Sequence, residues 1–158
     1  MRQHTRTKYV PIDFYNQMKA GHIRNGDVLL YKDGAQLGRK SIFMDDFPFI
    51  RCCINEHVFI LRSNNDISQL YLYLWLDQRW VTETIKNIGV TSAQPGINQS
   101  KVKKGIKILA PQKEIIDKFN TLIMPIFERI FKNALENIKL ASLRDLLLPK
   151  LMSGEIKV

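Results

Sequence analysis

The chain has 158 residues, and 24 Lys and Arg residues against 15 Asp and Glu residues give a formal net charge of +9. Hydrophobic residues make up 45% and charged residues 25% of the chain, which excludes a disordered tail protein. The longest apolar run, residues 70–76, is far below the roughly 20 residues that a membrane-spanning helix needs. The adjacent cysteines Cys52 and Cys53 indicate a reduced, cytoplasmic protein, and the basic, polar start shows no secretory signal.

Short strands are expected in the first half of the chain. The opening up to residue 23 has a weak pattern, and Gly21 with Gly26-Asp27 predicts a loop and turn. Apolar, β-branched or aromatic runs predict strands at residues 28–31, 41–44, 52–54 and 57–62. The Asp33-Gly34 pair predicts a turn after the first strand, and Gly38 relaxes the connection to the second.

A helix is predicted next, over residues 67–88, where apolar residues recur at helical spacing with only Gln78 breaking the series. Good N-cap residues lie at 64–66, and Gly89 stands where a C-terminal cap glycine belongs. Residues 90–104 are polar and predict an exposed loop, and residues 106–109 predict a last strand.

A long helix is predicted over residues 112–147, with a kink or break at Pro125 and an end at Leu148-Pro149. Between positions 115 and 148, 19 of 34 residues are apolar, whereas a helix that buries one stripe needs roughly 15. We therefore expect two covered faces, one against the chain's own domain and one against a partner helix; the alternative is a helix buried within one compact domain. The seam assigned to the partner is Phe127, Phe131, Ala134, Ile138 and Ala141. If these residues face the chain's own domain instead, charged substitutions there would unfold it.

Most of the positive charge lies in the first part of the chain. Residues 1–110 carry a net charge of +7, and residues 111–158 carry +2. Two polar segments combine cations with amides and hydroxyls, the side chains that contact DNA phosphates and base edges; the alternative is an ordinary solvated surface. The candidate DNA-binding residues are Lys32, Gln36, Arg39, Lys40, Thr91, Ser92, Gln94, Asn98, Gln99, Ser100, Lys101, Lys103 and Lys104.

No catalytic or metal-binding residues are predicted. The segment 33–40 lacks the Gly-Lys-Ser/Thr ending of a P-loop, and no Asn/Asp-Pro-Pro-aromatic motif of amino-methyltransferases occurs. Cys52 and Cys53 would point to opposite faces of a strand, so they and His57 are read as ordinary strand positions. Asp45, Asp46 and Glu56 lack the lysine of a nuclease site.

The closing string Leu-Arg-Asp-Leu-Leu-Leu-Pro-Lys-Leu-Met-Ser-Gly-Glu-Ile at 143–156 resembles the end of the DNA specificity subunit of type I restriction-modification systems. The segments 94–98 and 106–111 belong to the same pattern. Gly-Asp-Val-Leu-Leu-Tyr-Lys-Asp-Gly-Ala at 26–35 and Asn-Glu-His-Val-Phe at 55–59 also resemble that family's target recognition domain. The similarity covers about residues 21 to 156.

The resemblance implies an α/β (α+β) fold: a small mixed-sheet target recognition domain at 1–110, then a long spacer helix at 111–158. It implies that the domain reads half of a bipartite site in double-stranded DNA and that the helix pairs antiparallel with a second copy, as a coiled coil or helix pair. Methyltransferase subunits would bring S-adenosylmethionine, and restriction subunits would bring ATP and Mg. A full subunit has two such domains and two helices, so a half-length or truncated form is expected; the alternative function is a scaffold module that reads no DNA.

Overall fold

A computed structural model describes residues 8–64, 66–90 and 96–156 of the chain. At its centre lies a three-stranded antiparallel sheet in the order β2-β1-β3, formed by β1 (Val28–Tyr31), β2 (Lys40–Ile42) and β3 (Val58–Leu61). The predicted strand at 28–31 is confirmed, and the two at 41–44 and 57–62 are present in shorter form. The segment predicted as a strand at 52–54 makes a single bridge, from Cys53 to His22.

The middle strand lies at the centre of the core, where Val28 and Leu30 pack in one cluster with Leu70 and Leu76 of α2. Val28 and Leu30 have 0% of their surface exposed. Immediately before them, Asp27 is buried, and its carboxylate accepts hydrogen bonds from the Arg62 guanidinium at 2.6 and 2.7 Å and from the Arg24 N–H at 2.7 Å. These bonds compensate the cost of removing the carboxylate from water, and they raise the pKa of Arg62.

The helices are α1 (Ile12–Gln17), α2 (Gln69–Leu76), α3 (Arg79–Gly89), α4 (Gln99–Gly105) and α5 (Lys113–Met152). The short α1 lies in the weakly patterned opening of the chain, for which no helix was predicted.

The single helix predicted over 67–88 is wrong, because the chain forms α2 and α3 with a break at Asp77 and Gln78. At Gln78 the backbone leaves the helical conformation, with φ −59° and ψ 138°. The Leu76 carbonyl at the end of α2 accepts a hydrogen bond from Lys40 Nζ at 2.7 Å, which ties this junction to β2. The cap is also shifted, since the Ser68 hydroxyl accepts from the Tyr71 N–H at 3.1 Å.

The segment after α3 contains more helix than its polar composition predicts. α4 begins where the Asn98 side chain accepts a hydrogen bond from the Lys101 N–H at 2.9 Å, as an N-cap does. The loop prediction is wrong for 99–104, and residues 91–95 lie outside the described part of the chain. The strand predicted at 106–109 is absent; these residues are irregular, and the Leu109 carbonyl accepts from the Tyr71 hydroxyl at 3.0 Å.

α5 is one helix of 40 residues, about 60 Å long. Of the kink or break predicted at Pro125 the break is absent, and the predicted end at Leu148-Pro149 is wrong, since both prolines lie inside the helix. Aromatic pairs hold the helix on α2 on each side of Pro125: Tyr71 with Phe119 at 5.5 Å and Tyr73 with Phe127 at 5.9 Å between ring centroids. This packing offsets the hydrogen bond that the first proline removes.

The face of α5 that packs on the domain contains part of the seam predicted for a partner. Phe127 joins the core cluster, Phe131 is buried with its ring 5.8 Å from that of Phe47, and Ala134 is buried. For these three residues the structure corrects the partner assignment, because the chain's own domain already covers them. Ile138 and Ala141 lie further along, where α5 leaves the domain.

Outside the face that packs on the domain, α5 exposes many large apolar residues. They include Ile115, Leu122, Ile126, Ile130, Leu140, Leu143, Leu146, Leu148 and Leu151. The α+β class with a long C-terminal helix is thus confirmed, with a sheet that is antiparallel throughout the described residues. The described helices include none long and apolar enough to cross a membrane.

Candidate nucleic-acid interface

The two polar segments predicted to contact DNA lie side by side in the fold. The Ile97 N–H donates to the Lys32 carbonyl at 2.8 Å, and Asp33 forms an antiparallel bridge with Gly96. The Gly96 N–H in turn donates to the Gly89 carbonyl at 3.0 Å. The β1–β2 connection, the end of α3 and the start of α4 therefore form one continuous surface.

The β1–β2 connection presents two of the predicted residues to solvent. After β1 the chain makes a single 3₁₀ turn, Gly34–Gln36, and reverses through Gly38, whose φ of +81° favours glycine. Gln36 and Arg39 are exposed, and the Arg39 guanidinium donates to Gln36 Oε1 at 3.2 Å. A neutral acceptor leaves the positive charge of Arg39 uncompensated, so it remains available to an anion.

The two lysines of this connection differ in their surroundings. Lys32 is half-buried with its Nζ 5.3 Å from the centre of the Phe59 ring, a cation–π arrangement. The Lys40 side chain is only 6% exposed; its Nζ donates to the Leu76 carbonyl and the Thr82 hydroxyl and lies 3.6 Å from an Asp77 carboxylate oxygen. Burial lowers the pKa of Lys40 although Asp77 opposes the change. The structure thus places Lys40 at the α2–α3 junction, with its donors directed inward.

α4 presents the second group of predicted residues. Asn98 is exposed, but its side-chain oxygen is occupied as the helix cap, and Lys101 Nζ donates to the Gly96 carbonyl at 3.3 Å. The exposed members of the group that follow the cap are Gln99, Ser100, Lys103 and Lys104. Thr91, Ser92 and Gln94 lie outside the described residues.

One cation that borders this surface was missed from the sequence. Lys86 lies on the exposed side of α3, and a Cβ built on Gly38 would stand 3.7 Å from its side chain. The helical spacing that buries Val81 and Ile85 already placed Lys86 on the opposite, polar side of α3. The contact between α3 and the β1–β2 connection could not be predicted from the sequence.

Metal-ligand chemistry finds no support among the described residues, which contain no group of three His, Cys, Asp or Glu side chains placed to hold an ion. His57 instead lies 2.8 Å from Asp33 and 3.3 Å from Glu56. Cys52 and Cys53 are both free thiols, and burial raises the pKa of Cys52.

Taken together, these elements define an α+β protein with a long C-terminal helix and a polar, basic surface beside its sheet. No family model matches the chain. The specificity subunit of the type I restriction enzyme HindI from Haemophilus influenzae is 37% identical over 103 residues, which are 65% of this chain and 22% of that subunit. The specificity subunit of the type I restriction enzyme MjaIX from Methanocaldococcus jannaschii is 26% identical over 151 residues, 92% of this chain and 34% of that subunit.

These findings confirm the predicted resemblance: the chain is similar in sequence to type I restriction enzyme specificity subunits. It spans between about a fifth and about a third of the length of the two curated relatives.

Proposed function

We propose that this chain binds double-stranded DNA and reads one half of a bipartite site as part of a type I restriction-modification complex. The observation that carries the proposal is the meeting of two polar, basic segments, joined by the Lys32–Ile97 hydrogen bond, in a homologue of specificity subunits. Cations at this surface would fix the DNA through its phosphates.

Sequence would be read by the exposed uncharged side chains. Gln36, Gln99 and Ser100 are exposed, and amides and hydroxyls of this kind form hydrogen bonds to base edges in the major groove. Asn98 is less suited, since its oxygen caps α4. We therefore assign base contacts to the first three residues and phosphate contacts to Arg39, Lys103 and Lys104.

The long helix would join this module to a second copy of the chain. Leu140, Leu143 and Leu146 are exposed on a part of α5 that extends beyond the buried Ala134. A row of large apolar residues is typical of a protein contact surface. The homodimer would therefore form through these residues rather than through Phe127 and Phe131.

The chemistry of the complex would reside in other chains. Methyltransferase subunits docked on this module would supply S-adenosylmethionine and adenine methylation, and restriction subunits would supply the ATP- and Mg-dependent step. In this proposal the chain itself is non-catalytic and sets where the partners act.

Selection from a pool of random DNA duplexes tests the proposal, with the purified chain alone and with its methyltransferase partner. We expect a defined sequence to be enriched, and its binding to weaken as salt rises. Equal enrichment of all sequences in both experiments would overturn the claim of specific reading.

A second candidate is favoured by the exposed apolar side of α5: a scaffold module that assembles partner subunits without reading DNA. Replacing Arg39, Lys103 and Lys104 together by alanine separates the two. Loss of duplex binding with intact subunit assembly supports recognition, whereas unchanged activity of the complex supports the scaffold.

A further inference from the structure

The β1–β2 connection and α3 enclose a shallow polar groove with a volume of about 380 Å³. The polar and charged residues that line it are Gln36, Arg39, Lys40, Asp77, Thr82 and Lys86. The groove exists because the chain passes close to α3 at Gly38, where an added Cβ would lie 3.5 Å from the Ile85 side chain. The groove therefore lies between the β1–β2 connection, which was predicted to contact DNA, and α3, for which no DNA contact was predicted.

The charge of the groove is unbalanced. Three cations, Arg39, Lys40 and Lys86, line it together with one carboxylate, Asp77, which already lies 3.6 Å from Lys40. Among the described residues, neither Arg39 nor Lys86 has a carboxylate partner. Lys86 is also close enough to Lys40 to contribute to lowering the pKa of Lys40, after burial, the larger cause. The groove thus carries two cations that an anion could neutralise.

The three cations also differ in exposure. Lys40 is held beneath the groove by hydrogen bonds to Leu76 and Thr82. Arg39 and Lys86 are exposed, so both can donate to a group that enters from solvent. A buried cation below and two exposed donors above suit a tetrahedral anion better than a flat base edge.

We infer that this groove binds a backbone phosphate of duplex DNA through Arg39 and Lys86. The inference rests on the proposed function and assigns these two residues to positioning rather than to base reading. DNA is the favoured source of the phosphate because the same connection continues, through the Asp33–Gly96 bridge, into the surface that carries α4. A free phosphate ion would be bound by the groove residues alone and would not use this adjoining surface.

The test compares Lys86→Ala and Arg39→Ala with Lys139→Ala, a matched loss of an exposed lysine on α5. Affinity for a duplex selected as above and for a scrambled duplex is measured by fluorescence anisotropy across a range of NaCl concentrations. We expect each groove variant to weaken binding to both duplexes by the same factor and to reduce the slope of log affinity against log salt by about 1. Lys139→Ala should leave both quantities unchanged.

A second arm titrates inorganic phosphate into the wild-type chain and follows the backbone amide signals of Thr82 and Lys86 by NMR. Saturation by millimolar phosphate that duplex DNA does not displace would overturn DNA as the source. Wild-type affinity and slope in Lys86→Ala and Arg39→Ala, or losses equal to that of Lys139→Ala, would overturn the groove assignment alone. Failure of the wild-type chain to bind any duplex would instead overturn the proposed function and this inference with it.

Discussion

Phe131→Ala tests which face of α5 belongs to the chain's own domain. Phe131 is 8% exposed, and its ring packs edge-on against Phe47 at 5.8 Å. Truncating a buried phenylalanine to alanine costs about 3–5 kcal/mol, a total that includes roughly 1 kcal/mol from the aromatic pair. For a chain of this size, such a loss lowers the melting temperature by roughly 6–20 °C.

Leu143→Ala is the control, because Leu143 lies on the same helix and is 51% exposed. It should change the stability of the monomer by less than about 0.5 kcal/mol. Urea unfolding followed by circular dichroism measures both variants, at concentrations low enough that association does not add to stability. A Phe131→Ala variant as stable as the wild type, but unable to self-associate, would refute this assignment of faces.

The other predictions concern polar groups and the exposed side of α5. Leu140→Asp combined with Leu143→Asp should give a folded monomer in sedimentation at concentrations where the wild-type chain dimerises; a persistent dimer would place the contact elsewhere. Arg62→Ala should lower the free energy of unfolding by about 3 kcal/mol in urea titrations, because the Asp27 carboxylate, 3% exposed, keeps only the Arg24 N–H. Lys40→Met should change how the free energy of unfolding depends on pH. Below the lowered pKa of Lys40, this side chain is protonated in both the folded and the unfolded wild-type chain. Between that pKa and 10.5, it is protonated only in the unfolded chain. The wild type should therefore gain stability relative to Lys40→Met as pH rises through this interval, and a constant difference would contradict the burial of Lys40.

The local sequence pattern was sufficient to predict elements whose structure depends mainly on neighbouring residues. β1 was predicted at its observed bounds because an apolar run between turn signals is enough to define a buried strand. The α2–α3 break had one local signal, since Gln78 interrupts the apolar series, but the hydrogen bond from Lys40 to a carbonyl 36 residues further along the chain could not be read from that pattern. The continuity of α5 through Pro125 likewise depends on aromatic contacts with α2.

At the candidate interface too, the sequence indicated which types of side chain are present but not which contacts they make. Composition pointed to the side chains suited to DNA, Gln36 and Arg39 among them, but it treated the two polar segments as equivalent. The structure separates residues whose donors are occupied, such as Lys40, from residues directed to solvent. It also adds Lys86, whose proximity to Gly38 depends on the packing of α3 against the β1–β2 connection.

The apolar surplus of α5 links the fold to assembly. The surplus predicted two covered faces, and the structure accounts for one of them, since Ile116, Phe131 and Ala134 are buried against the domain. Beyond Ala134 the helix runs a further 18 residues to Met152, about 27 Å, with leucines exposed along it. Exposure of a row of leucines of that length to water is disfavoured. Because the buried face of α5 ends at Ala134, the rest of the helix can meet a partner without disturbing the domain, so self-association and DNA contact should be separable by mutation.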